Sequence, residues 1–404
     1  MSSLRPRPAS RVPTRPPTPL CENQTLHTQS NFRLLIVRLG AMGDILHALP
    51  AVTALRLAHP DWQIGWVVEP RWQALLKAGN EAATEQGNEK AGNRQQGTCN
   101  REPATPTRDS AMPIVDRLHF APSREWKRHP LSSQTRRAIA ALRNELRAEK
   151  YSAVLDLQGA IRSAVIARMS GCVRRIGEAS PREWPAQWFF TERVVTHGAH
   201  VIEQDVELAS AVAGDALSTV DAQLPIDSNA EAWCASWLSS AFSGTARPIA
   251  LITPGAGWGA KRWPPERYAE VAAGLTQRGF DVVVNAGPGE ESLAATITAG
   301  DMAVAVTPTL PQLIALTRRI ALCIAGDTGP LHLASAMGRP VVGIYGPTDP
   351  SRNGPFGTRA RVLRSPGSST DHSRRSEPDP GLLTITARDV LRAADELLTE
   401  GRGR

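Results

Sequence analysis

The chain has 404 residues, 41% of them hydrophobic, and a formal charge of +7, which is room for two domains of ordinary size. Five scattered cysteines with no C-x-x-C pair argue against a disulfide framework or a zinc knuckle and fit a reducing cytoplasm. No apolar run approaches the roughly 18 residues of a membrane span, and the charge excess is too local for a general nucleic-acid binder.

The first thirty residues, rich in Pro, Arg, Ser and Thr, lack an apolar core and read as a disordered tail rather than a signal peptide. From Arg33 strands alternate with helices. "RLLIVRL" is a strand, "DILHALPAVTALRLAHP" a helix closed by Pro60, "QIGWVVE" a strand, and "RWQALL" the start of a helix. Residues 77–112 are polar and aperiodic and read as a disordered insertion. After "IVDRLHFAP" comes one basic helix with Ile139, Leu142 and Leu146 on a face, then the strand "SAVLDLQG". A loop holding Trp184 and Trp188 and a helix near 201–212 follow.

A second alternation begins near Pro248. Its strands are "PIALITPGAG", "DVVVNAG", "ALCIAGD" and "PVVGIYGP". Its helices are "PPERYAEVAAGLTQRGF", "EESLAATI", "LPQLIALTRRI" and "GPLHLASAMG", with a last amphipathic helix, "TARDVLRAADELLTE". Two such blocks imply an α/β fold of two doubly wound domains, with ligands at the carboxyl ends of the strands. The expected division is a tail over 1–30, a first domain over 31–225, a second over 226–385 and a closing helix over 386–404.

Chemistry concentrates where strands turn into helices. "RLGAMGD" passes through Gly40 and Gly43 into a helix, a turn that brings free amides close to a ligand. Asp44 at that helix start either caps the first turn or faces the cleft as a general base. His47, one turn on, lies on nearly the same face and is a candidate substrate contact or a structural histidine. In "AGDTGPLH", Asp327, Thr328 and Gly329 stand at a helix start and His332 one turn beyond, an arrangement suited to a diphosphate or to plain capping. Lys261, in "GAGWGAKRWPPERY", is placed to neutralise a leaving diphosphate, or is a surface lysine. Glu290 and Glu291 follow "NAGPG" and are candidate ribose ligands. Residues 117–147 carry eight Lys or Arg against Glu125 and Glu145, so an anionic partner or a solvated helix face is expected there. The chain has no P-loop, no G-x-S-x-G elbow and no paired His or Cys at metal spacing, so no cofactor and no metal are expected.

The runs "LLIVRLGAMGDILHALPAVTALR" and "GDTGPLHLASAMGRPVVGIYGPTDP" resemble the ADP-heptose:lipopolysaccharide heptosyltransferases, glycosyltransferase family 9, with type I nearer than type II. The resemblance covers most of 33–350. It implies a GT-B fold, two Rossmann-like domains facing across a cleft, with the closing helix packed back on the first. It implies inverting transfer of a heptose from ADP-heptose to the Kdo region of the inner core, with Asp44 as base and Lys261 stabilising the phosphates. By the same resemblance Asp327, Thr328, Gly329, His332 and Glu290 or Glu291 bind the donor. Gly43, His47, Arg124, Lys127, Arg128 and Arg162 would then face a Kdo-lipid A acceptor at the inner membrane surface, with the protein cytoplasmic or peripheral and no nucleic acid involved. "AGWGA" stands where type I enzymes carry paired threonines. A nucleotide-sugar transferase of the same fold with another substrate, a GT-B sugar-nucleotide epimerase and a degenerate binding module are the alternatives. The epimerase needs no glycan acceptor and the binding module no base.

Overall fold

The computed structural model describes residues 32–78, 113–242, 246–368, 370–371 and 375–402. The tail over 1–30 and, from residue 79 on, the insertion over 77–112 lie outside them. Lys77, expected to open that insertion, is instead buried, and its Nζ donates to the Asp116 carbonyl at 2.8 Å.

Two parallel sheets carry the described chain. The first contains β1 (Arg33–Val37), β2 (Gln63–Val68), β3 (Arg117–Phe120), β4 (Ala153–Asp156), β5 (Arg175–Glu178) and β6 (Glu192–Val194), in the order β3-β2-β1-β4-β5-β6. The second contains β7 (Ile249–Thr253), β8 (Asp281–Asn285), β9 (Val304–Val306), β10 (Ile320–Gly326), β11 (Val341–Tyr345) and β12 (Ala360–Arg364), in the order β12-β11-β10-β7-β8-β9. Each order reverses beside its first strand, so each sheet has a switch point where a crevice opens at the carboxyl edge. The central strands are covered on both faces, which is why they read as unbroken apolar runs such as Leu34 to Val37.

The helices are α1 (Met42–Ala58), α2 (Ser123–Arg128), α3 (Ser133–Ala148), α4 (Ile161–Met169), α5 (Val201–Ala213), α6 (Ser228–Ala241), α7 (Pro265–Gln277), α8 (Glu291–Thr298), α9 (Leu310–Thr317), α10 (Gly329–Ala336), α11 (Pro350–Asn353) and α12 (Ala387–Arg402). On the first sheet α1 and α5 pack together on one face, and α3 and α4 cover the other. One apolar cluster runs from Ile36 through Ile45 and Leu49 of α1 to Leu331 and Leu333 of α10, so the two sheets share a core.

Three expectations are corrected. The closing helix packs on the second sheet: Val390, Ala394 and Leu397 of α12 join Val271 and Leu275 of α7 and Val342 of β11. Its strongly apolar stripe is met there, and Arg278 of α7 pairs with Asp395 at 2.7 Å. The single basic helix is two, α2 and α3, because Pro130 lacks the N–H that a continuous helix needs. "RWQALL" forms a 3-10 turn over Pro70–Leu75.

Candidate active site

The first turn of α1 begins at Met42, which places Gly43 and Asp44 inside the helix. The Asp44 carboxylate is one-third exposed; its Oδ2 accepts the Ala41 amide at 2.8 Å. It therefore caps backwards from the third helical position, and Oδ1 remains directed elsewhere. Arg38, at the end of β1, grips the same residue. Its buried guanidinium donates from Nε to the Asp44 carbonyl at 3.1 Å, and Nη2 lies 3.7 Å from Oδ1. Gly40 has φ +135°, a region side-chained residues avoid, and a Cβ there would lie 2.6 Å from Nε1 of Trp72.

From the second sheet, β10 delivers Asp327, Thr328 and Gly329 to α10. Thr328 takes the N-cap position, but its hydroxyl donates back to the Gly326 carbonyl at 3.2 Å. No side chain caps the turn, so the Gly329 amide keeps the unpaired donor that a helix start presents.

The two helix starts touch. A Cβ at Gly43 would fall 2.8 Å from Cδ2 of His332, and one at Gly329 would fall 2.6 Å from Sδ of Met42. Both glycines thus admit the opposite helix. His47 packs against the same ring. It is buried, and its Nε2 lies 3.3 Å from Nδ1 of His332. His332 Nε2 in turn lies 3.2 Å from Asp327 Oδ1, and Lys261 Nζ donates to Asp327 Oδ2. A continuous polar chain, His47–His332–Asp327–Lys261, crosses from one sheet to the other. The carboxylate accepts at Oδ1, so His332 carries a proton on Nε2. Lys261 also lies 4.2 Å over the Trp258 ring, a cation–π contact. An ammonium has three N–H donors, so the bond to Asp327 leaves two for a ligand.

The electrostatics follow from this packing. Burial pushes the Asp327 carboxyl up, but His332 and Lys261 outweigh it and hold the group well below the usual carboxylate range. Burial, then the neighbouring His332 and His200, hold His47 well below the ordinary histidine value. His200 packs edge-on against His47 at 5.6 Å, and its Nε2 donates to the Gly354 carbonyl at 3.0 Å.

The remaining candidates separate. Glu290 stands between the ends of β7 and β8: its Oε2 accepts the Gly287 amide at 2.8 Å, and its carboxylate fills the space a Cβ at Gly255 would need. Glu291 is exposed and accepts the Gly289 amide. Arg124, Lys127 and Arg128 are exposed on α2, and Arg162 is exposed on α4; among the described residues none of the four forms an ion pair. Burial, and then the nearby Arg124, disfavours the charge of Arg71, whose guanidinium lies 4.4 Å over the Trp72 ring.

Sequence reasoning missed Arg38, whose only signal is a cation in an otherwise apolar strand. It also missed three hydroxyls at the carboxyl edge of the second sheet. There Thr253 Oγ1, Tyr345 Oη and Thr348 Oγ1 are buried with no partner among the described residues. Unmet buried hydroxyls at a switch point are what a polar ligand would satisfy.

Residues 139–380 match the sequence profile of glycosyltransferase family 9 (heptosyltransferase). The chain belongs to that family. It is thus a glycosyltransferase, and its two sheets are the two Rossmann-like halves of a GT-B fold. This family 9 chain is 27% identical over 348 residues to lipopolysaccharide heptosyltransferase 1 of Escherichia coli K12, an alignment covering 83% of this chain and 94% of that one. The structure "E. coli heptosyltransferase WaaC with ADP" superposes with a TM-score of 0.69 at 24% identity, covering 91% of this chain and all of the other. A family 9 glycosyl transferase from Veillonella parvula superposes with a TM-score of 0.70 at 20% identity, covering 91% and 97%. Among the described residues of the family 9 chain, no helix is long and apolar enough to cross a membrane.

Proposed function

We propose that this family 9 enzyme moves a heptose from ADP-heptose onto the Kdo region of a lipopolysaccharide inner-core acceptor, inverting the anomeric carbon and requiring no metal. The relative with the longest shared span described above is named lipopolysaccharide heptosyltransferase 1, and one superposable structure holds ADP. The observation that carries the reading is the meeting of two helix starts, which brings Asp44 of one sheet beside the His332–Asp327–Lys261 chain of the other.

The steps follow from the side chains. Asp44 Oδ1 takes the proton of the acceptor hydroxyl while Oδ2 stays fixed by the Ala41 amide. The freed oxygen forms a bond to the anomeric carbon as the bond from that carbon to the diphosphate breaks, from the opposite side. Negative charge grows on the leaving ADP. The two spare N–H groups of Lys261 and the amide of Gly329 meet it, with Asp327 and His332 holding Lys261 in line. Glu290 takes the ribose hydroxyls, and the cations Arg124, Lys127, Arg128 and Arg162 meet the acid groups of the acceptor. The protein works at the cytoplasmic face of the inner membrane, where such an acceptor is anchored.

The test is transfer from ADP-heptose to Kdo-lipid A, followed by ADP release and by the anomeric configuration of the product. Asp44→Asn is expected to lower kcat by about 10²–10⁴ with ADP affinity unchanged. Full turnover in that variant, or a retained configuration, overturns the assignment.

A further inference from the structure

The face of the first sheet covered by α3 and α4 carries a feature the transfer reaction does not use. Trp184 and Trp188 lie in a 3-10 turn packed on α4, their rings edge-on at 4.8 Å, and they are 59% and 65% exposed. Ile161 and Val165, one turn apart on α4, are also exposed. The same helix exposes Arg162 and Arg168 and contains no acid. Arg182 and Glu183 precede the turn, both exposed. Glu183 is spent on the helix itself, accepting the Ile161 amide at 2.8 Å. Arg147 of α3 reaches across to the Met169 carbonyl at the far end of α4, at 3.3 Å. The acids at the end of α3 are engaged elsewhere: Glu145 is bonded to His119, and Glu149, just past the helix, to Arg33 and Arg117.

We propose that the outer face of α4 and the Trp184–Trp188 turn form a docking surface for an anionic lipid bilayer. Paired indoles beside aliphatic side chains suit the interfacial zone, where an apolar body sits among head groups. Arginines interleaved with them, without competing carboxylates, match anionic lipid and add about fivefold each to partition near such a surface. Placement agrees. β4 pairs with β1 in parallel, Val37 opposite Asp156, so α4 begins at the same carboxyl edge from which Asp44 emerges. A bilayer held on this face brings a lipid-linked acceptor to the base. The purpose of the surface rests on the reading given under Proposed function, but the vesicle-binding measurement that tests it needs neither donor nor acceptor.

The experiment is co-sedimentation of the full chain with vesicles of phosphatidylcholine alone and of phosphatidylcholine with phosphatidylglycerol. Binding is expected only to the anionic vesicles. Trp184→Ala with Trp188→Ala, and separately Arg168→Glu with Arg182→Glu, are each expected to reduce it at least tenfold. Transfer to a deacylated, water-soluble acceptor is expected to stay within twofold of the parent in both variants. Vesicle binding unchanged in both variants overturns the proposal. So does an equal loss of transfer to the soluble acceptor, which makes the indoles sugar contacts. Loss of a self-associated species in sedimentation velocity, without any vesicle binding, also overturns it and makes the patch a contact between copies.

Discussion

Gly43→Ala tests the contact on which the site is built. The added Cβ would stand 2.8 Å from Cδ2 of His332, and two carbons need at least about 3.5 Å, so a gap of about 0.7 Å must open. His332 cannot simply turn, because one ring nitrogen is 3.3 Å from His47 and the other 3.2 Å from Asp327. The helix starts must part, or one of those bonds must break. Overpacking of this kind costs about 1–3 kcal/mol, and replacing Gly by Ala in a helix returns up to about 1 kcal/mol, so the net loss is about 0–2 kcal/mol. Catalysis is expected to suffer more: displacing reacting groups by about 1 Å costs on the order of 10²-fold in rate. The assay pairs kcat/KM from ADP release with a denaturant unfolding curve. Gly300→Ala, where nothing lies within 4 Å of the added carbon, is the control and is expected to match the parent. Wild-type kcat/KM and stability in Gly43→Ala would refute the argument that these helix tips set the geometry of the reaction.

Two further outcomes are expected. His47 is held below the ordinary histidine value of 6.5, so below that pH the unfolded chain binds a proton the folded chain refuses. Its contribution is complete above pH 6.5 and is lost as pH falls from there. Unfolding free energies of the parent, relative to His47→Gln, should therefore decline by up to about 1.4 kcal/mol per pH unit below 6.5. Asp205, pushed up to about 7 by burial, acts in the opposite sense over this range, so the difference between the two proteins is what is read; a pH-independent difference contradicts the assignment. For the donor, Glu290→Gln is expected to weaken ADP binding about tenfold and Glu291→Gln less than twofold, by calorimetric titration, since only Glu290 lies between the strand ends. Equal effects would show that the ribose site lies elsewhere.

The strand-to-helix turns at Asp44 and Asp327 were legible because their signals are local: an apolar run, glycines, then a helical period. The outlying strands β5, β6, β9 and β12 were not. They are three to five residues long, and β12, "ARVLR", carries arginine at its second and last positions, which weakens any alternation. Helix α6 was missed beside them; its anchor, Glu231 bonded to Arg318 and Arg319, joins residues nearly ninety positions apart. The site shows the same division. Spacing nominated His47 and His332 separately, but 285 positions lie between them, and no local pattern tells that one ring rests on the other. The closing helix was misplaced for a like reason: its apolar stripe announces that it must be covered and says nothing of which sheet covers it.

The reciprocal fit of Gly43 against His332 and Gly329 against Met42 makes the proposed base and the proposed leaving-group cradle parts of one mechanical joint. On the proposed mechanism, a swing that spreads the halves to admit a substrate would withdraw Asp44 from the Lys261–Asp327 side of the site. An enzyme built this way is disarmed while it loads, which protects a costly activated sugar from stray water until both halves have shut on it.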